Sequence, residues 1–522
     1  MKWWRLATLA AIIFLSSSTA KAQDDWRNEI RRLELRLGEQ QRQIDAQSRV
    51  IEAQQRRLDE QTRLAEIPAR SSFESDQDRD RDEIEPAELL IAPLVIAPRN
   101  VRNLRSVGEE GDANANPSRP SGLDFGYSNG FFIASPAGVT HKDGTPFLLQ
   151  VNGRLQLRHT AFDSQGPTSD ENNLELERAR LVFSGQAFSP DFSYLAQLDG
   201  DTDDASTADF IDYALRYDFG HALLDLDAGS LVMRLGKYRL PFTRARQDSG
   251  FVLQFVDRAT ASDFFDVNRS IAVGLTGTGS VLDRPVAWEI ALSNGIRDDG
   301  FTPNRTGGLD RNPGYAARVS SELLGEWGTD GEPDLSWHER PAVKIGAAVA
   351  FTRVDRDDGF LEFSEIPAIG DSGVNPFVVD VVPATVDEFG VMLYAVDANF
   401  KYRGLSMLGE YYFRQLTAFA GAPVTDRFDH GFVLQTGYFL VPERLEVAAR
   451  WSRMVGDSWT LGDAEHSTDE VAGGMTWYIR GHNLKLGFDV THLNGSPIES
   501  STLNVLAGDA GWLVRTQFQL VF

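Results

Sequence analysis

The chain has 522 residues, of which 24% are charged and 42% hydrophobic, and carries a formal charge of −25. This composition is neither that of a disordered chain nor that of a helical membrane protein, and the acidic balance argues against nucleic-acid binding, which needs a basic footprint. With no cysteine in the chain, disulfides, thiol nucleophiles and Cys-based metal sites are excluded.

Lys2 and Arg5 form a basic start, Leu6 to Leu15 a short apolar core, and Ala20-Lys21-Ala22 a small-x-small cleavage pattern. Residues 1–22 are therefore predicted to be an export signal, since the apolar core is too short to span a bilayer. No run of about 18 apolar residues follows it, so no membrane-spanning helix is predicted.

Residues 23–67 read as a coiled-coil helix. Ile30, Leu37, Ile44, Ile51, Leu58 and Ala65 recur every seven positions, alongside a second row of Leu33, Gln40, Gln47, Gln54 and Gln61. The apolar row favours self-association, while the buried amides weaken the seam and set register or oligomer number. Pro68 ends the helix. Between Ser71 and Glu88, eight acids face only Arg79 and Arg81, too little apolar surface to fold alone. Residues 68–126 are read as a linker, largely disordered.

Residues 127–522 are read as the barrel domain, and beyond about Phe131 the sequence alternates with period two. In Val514 to Phe522, one row carries Val514, Phe518, Leu520 and Phe522, and the other Arg515, Gln517 and Gln519. Leu484, Leu486, Phe488 and Val490 alternate in the same way with Lys485, Gly487, Asp489 and Thr491. Such spacing defines amphipathic strands. About sixteen are predicted, near 147–161, 174–188, 191–201, 207–219, 231–240, 269–280, 285–295, 313–321, 341–354, 388–402, 404–416, 428–440, 443–455, 468–480, 482–493 and 510–522.

Connections on one side are short, as at Ser189-Pro190, Arg403, Val441-Pro442 and Gly481. Those on the other side are longer, as at 241–268, 296–312, 355–387 and 494–509. The connections 322–340 and 201–206 break the pattern. An all-β membrane protein, an antiparallel transmembrane β-barrel, follows. A closed sheet of about sixteen strands is too wide for side chains to fill, so the apolar row must face lipid and the polar row an aqueous lumen. Arg154, Arg178, Arg180, Arg234 and Lys344 all fall on the polar row, which avoids a cost of about 2–4 kcal/mol for a basic residue in mid-membrane lipid. A terminal Phe522 on such a strand suits a barrel of the bacterial outer membrane, with the coiled coil in the periplasm.

Several segments resemble the phosphate-selective porin O and P family. They are Asn129-Gly130-Phe131-Phe132, Val151 to Gln156, Glu177 to Gly185, Met233 to Phe242, Phe255 to Arg258, Asn268 to Leu275, and Ala291 to Gly295. The resemblance covers 127–522 and implies a trimeric porin that carries anions through a basic constriction formed by the third outer loop, 241–268. On this reading Arg244, Arg246, Arg258 and Arg269 lie at the constriction. Arg154, Arg158, Arg178, Arg180, Arg234 and Lys344 extend the basic path along the wall. Arginine suits phosphate because its planar fork donates paired hydrogen bonds and keeps its charge. The same arginines could instead pair with Asp248, Asp257, Asp263 and Asp266 and hold the loop. Outer-membrane lipid and small anions such as phosphate are the expected partners.

Asp199 to Asp204 is acidic enough to bind calcium but lacks the spacing of a helix-loop-helix site. No catalytic constellation, metal site or cofactor motif is found, and no catalysis is expected. The rival to a pore is a plugged barrel that tethers the outer membrane to the periplasm or cell wall through its coiled coil.

Overall fold

The computed structural model describes residues 124–522 except 129, 136–146, 167, 201–208, 297–311, 330, 356–385, 387, 458–459, 462–465, 499, 501–502 and 507. The predicted export signal, the coiled coil and residues 68–123 of the predicted linker lie outside the described residues.

A short hairpin, β1 (Asp124–Tyr127) and β2 (Phe131–Ala134), comes first. It begins inside the stretch that the sequence assigns to the linker. Sixteen longer strands follow: β3 (Leu148–Ser164), β4 (Glu171–Ala187), β5 (Ser189–Asp199), β6 (Asp209–Tyr217), β7 (Val232–Arg239), β8 (Arg269–Val281), β9 (Arg284–Ser293), β10 (Gly314–Leu324), β11 (Ala342–Asp355), β12 (Glu388–Tyr402), β13 (Leu405–Ala420), β14 (Arg427–Val441), β15 (Leu445–Val455), β16 (Ser467–Arg480), β17 (Leu484–Asn494) and β18 (Ala510–Val521). Each pairs antiparallel with its sequence neighbour, and β18 pairs with β3 to close the barrel. The sixteen strands expected from alternation are all present, β12 with the same limits.

The pleat explains the alternation. In β18, Trp512 and Phe518 face outward and are exposed, whereas Leu513, Arg515, Gln517 and Gln519 face inward and are buried. Elsewhere Leu215, Leu235, Val273, Ile290, Val396, Leu434 and Val471 add to an apolar exterior. A soluble barrel would invert this arrangement.

At one end the strands turn tightly. Leu282-Asp283 and Arg403-Gly404 are two-residue connections in which both residues have positive φ, as the hairpin turn matched to strand twist requires. The same end includes two longer connections, 218–231, with the helix α1 (Phe219–Leu224), and 325–341. The other end carries the longer loops. One of these, 240–268, contains two short helices, α2 (Arg244–Gln247) and α3 (Thr260–Phe264). We call it the inner loop, because its partners are the inward side chains of the wall.

Candidate functional site

The inner loop is stitched to one half of the wall. The Glu410 carboxylate on β13 accepts from the backbone N–H groups of Arg244 (2.6 Å) and Ala245 (3.2 Å). Glu470 on β16 accepts from the N–H and hydroxyl of Thr260 at 2.7 and 2.8 Å. Asp489 on β17 accepts from the Val256 N–H at 2.9 Å. In the other direction, Arg450 on β15 donates to the Asp257 carbonyl, Lys485 on β17 to that of Leu253, and Gln519 on β18 to that of Phe251. Backbone groups buried away from water must be paired, and here the polar rows of β13 to β18 supply the partners. The tip reaches far down the barrel. Gln254 donates to Ser406 (2.6 Å) and Glu446 (2.5 Å), and each is the second residue of its strand, at the short-turn end.

The returning arm is held by apolar packing. Phe264 and Phe265 are buried, Phe265 stacks on Tyr412 at 5.4 Å, and the Arg414 guanidinium lies over Phe264 at 4.1 Å.

Five of the ten basic residues singled out by sequence serve this attachment. Arg158 (0% exposed) and Arg178 both bind Asp257 of the inner loop, at 2.6 and 2.8 Å, and both bind Glu177. Burial works against the charge of Asp257, but Arg178, Arg158 and Arg258 around it hold the carboxyl well below the usual range. Arg244 pairs with Asp248 and Glu332, and Arg246 with Asp263 and Asp266. Arg258 donates to the carbonyls of Ala245 and Asp248. The three arginines placed at the constriction within the loop are thus engaged in its internal structure, as are the two wall arginines Arg158 and Arg178. The reason is that the carboxylates Asp248, Asp257, Asp263 and Asp266 lie on the same loop.

Four others, Arg154, Arg180, Arg234 and Arg269, lie on β3, β4, β7 and β8. They are joined by two residues that sequence reasoning missed, Arg216 on β6 and Arg239 at the end of β7. Strand register places these six in three directly opposed pairs: Arg154 with Arg180, Arg216 with Arg234, and Arg239 with Arg269. Like charges set directly opposite destabilise a sheet. Partial compensation comes from Asp199 on Arg180 (2.6 Å), Asp212 on Arg269 (3.0 Å) and Glu289 on Arg234 (3.3 Å). Among the described residues, Arg154 and Arg239 have no carboxylate within ion-pair distance. Arg154 lies over the Phe251 ring of the inner loop at 5.4 Å, and its Nε is buried with no hydrogen-bond partner. Arg239 donates to the carbonyls of Arg246 and Asp248.

Lys344 stands apart on β11, registered opposite Glu322 and Asn399. Of the acidic run Asp199 to Asp204, Asp199 belongs to the Arg180 pair, and 201–204 lie outside the described residues. A signal for Arg216 was present, since Asp212, Ala214 and Arg216 share one row of β6. Nothing local marks Glu410, Glu470 or Asp489 as loop ligands.

No family model matches the chain, so its likeness to phosphate-selective porins rests on the motifs alone, and no curated relative matches it. Solved structures similar to it include the trimer form of OmpT, an outer membrane protein of Vibrio cholerae. That match is 9% identical with a TM-score of 0.44, over 72% of this chain and 99% of that one. OprB of Pseudomonas putida is 8% identical with a TM-score of 0.45, over 72% and 94% of the two chains. The outer membrane channel DcaP of Acinetobacter baumannii is 10% identical with a TM-score of 0.42, over 74% and 100%. The closed sheet stands on its own strand pairing.

Proposed function

We propose that the chain is an outer-membrane porin through which small hydrophilic anions diffuse passively. The observation that carries this reading is the set of three facing arginine pairs on β3 to β8, in which Asp199, Asp212 and Glu289 pair with Arg180, Arg269 and Arg234. Rings and ladders of basic side chains are the generic physics of anion passage. On this reading the inner loop, bonded chiefly to β13 to β18 and touching Arg154 and Arg239, narrows the passage beside the arginine face. The apolar exterior supports residence in lipid. Phosphate fits the arginine fork but so do other oxyanions, and trimeric assembly follows from the family resemblance only.

The test is single-channel recording in planar bilayers with purified full-length protein under a salt gradient. Wild type is expected to pass anions over cations, and Arg154→Glu with Arg239→Glu to shift the reversal potential toward cations. Unchanged selectivity in the double variant would remove the arginine face from the mechanism. Block by inorganic phosphate at low concentration would narrow the solute to phosphate.

A second reading, a plugged barrel with a tethering role, is favoured by how fully the inner loop is bonded from rim to rim. It predicts no conductance from intact protein, and envelope detachment on deleting 24–66.

A further inference from the structure

The connection 325–341 leaves the short-turn end between β10 and β11 and meets the tip of the inner loop, which arrives from the opposite end. The contact is reciprocal. The Glu332 N–H donates to the Val252 carbonyl at 3.2 Å, and the Glu332 carboxylate accepts from the Gln254 N–H at 3.0 Å. The same carboxylate accepts from the Gln435 side chain of β14 at 2.9 Å and from the Arg244 guanidinium at 3.2 Å. One residue therefore gathers the loop tip, the loop's first helix and the wall.

Its backbone is fitted to the position. Gly331, at φ 73°, brings the chain so close that a Cβ there would lie 2.4 Å from Val252 Cγ2, so only glycine allows the approach. The far side is anchored too. Buried Asp334 accepts from the Gly404 N–H at 2.7 Å, and the Arg403 N–H donates to the His338 carbonyl at 2.9 Å. Both contacts tie the connection to the β12–β13 turn, whose two residues hold the positive φ of a tight hairpin.

We infer that Glu332 is a positioning residue: carried on 325–341, it braces the tip of the inner loop and thereby sets the width of the passage beside the arginine face. The brace is a matter of the loop's own geometry; its effect on conduction rests on the proposed porin reading.

The experiment uses the full chain with Glu332→Ala and Glu332→Gln, and checks folding by heat-modifiable mobility. Hydrogen–deuterium exchange is read on peptides covering 249–256, and single-channel conductance is recorded beside it. Losing a bond to a charged acceptor is expected to speed exchange at Gln254 roughly tenfold in Glu332→Ala. Glu332→Gln keeps an acceptor oxygen for the Gln254 N–H and loses only the ion pair with Arg244, so it should fall between Glu332→Ala and wild type. Glu332→Ala should also show a changed unitary conductance with sub-level flicker. Unchanged exchange in both variants would overturn the brace. Faster exchange with unchanged conductance in a conducting protein would overturn the positioning role. Faster exchange in a protein that conducts in neither form would uphold the brace and count against the porin reading instead.

Discussion

On the proposed porin reading, the inward arginines differ in role according to whether a carboxylate of the inner loop pairs with them. Arg158 and Arg178 lie under the inner loop and share Asp257, so their charge is spent locally. Arg154, on the same strand as Arg158, has no such carboxylate among the described residues. Replacing Arg158 with Met should therefore cost stability, on the order of 3–5 kcal/mol for breaking a buried pair, with little effect on selectivity. Arg246→Glu, which sets an acid against Asp263 and Asp266, should do the same. Arg154→Glu, which sets an acid opposite Arg180, should do the reverse, moving reversal potential with a smaller change in the unfolding midpoint. Paired denaturation and bilayer measurements on these variants would separate the two classes, and a selectivity change in Arg158→Met would break the division. Period two made the inward direction of these residues legible in sequence. It could not tell Arg154 from Arg158, because the difference is made by a loop folded in from about a hundred residues away.

The inner loop shows why its limits were easier to read than its partners. Strong alternation on either side marks where β7 ends and β8 begins, so 241–268 emerges as a connection from local pattern. Its ligands Glu410, Glu470 and Asp489 sit on strands whose own alternation treats them as ordinary lumenal polar residues. Each satisfies a loop N–H, so Glu410→Ala or Glu470→Ala leaves orphaned donors at a cost of about 1–3 kcal/mol each. Limited proteolysis should then cut within 240–268 in these variants at a protease concentration that spares wild type. The brace at Glu332 has a defined pH window. Burial raises its pKa, but Arg244 and the hydrogen bonds from Gln254 and Gln435 outweigh this and hold it below the usual carboxylate range. A carboxylate with a depressed folded pKa contributes stability above its unfolded value, about 4.3, and loses it as pH falls through the folded value. Exchange at Gln254, corrected for intrinsic rate, should therefore be flat between about pH 5 and 8. A step within that window would place the titration elsewhere.

At the scale of the molecule, the number and direction of strands were legible because each crossing carries its own alternation, and because turns such as Arg403-Gly404 punctuate it. The two connections that broke the short-and-long rule belong to different cases. The connection 325–341 is genuinely long, since it folds onto the inner loop instead of merely turning the chain. The loop between β5 and β6 falls largely outside the described residues. The hairpin β1–β2 was not anticipated, since strands of four residues carry too little alternation to stand out. It lies along the same edge of β3 as β18 and Phe522. β18 covers that edge from Ser164 to Arg154, the Phe522 backbone exchanges hydrogen bonds with Gly153 at 2.8 and 2.9 Å, and β2 takes over at Val151. The Phe522 ring packs edge-on against Phe131 at 6.5 Å and occupies the space where a Cβ on residue 153 would stand. Gly153→Val should lower the yield of heat-modifiable, folded barrel, and normal yield would show that the ring can move aside. The arrangement acts as a mechanical stop: β18 slid toward the short turns by one repeat would run into β2, which pairs with β3 from Val151. Phe522 is thus gauged against Gly153 and Phe131, near the start of the barrel, so a closure in the wrong register meets steric opposition at the seam itself.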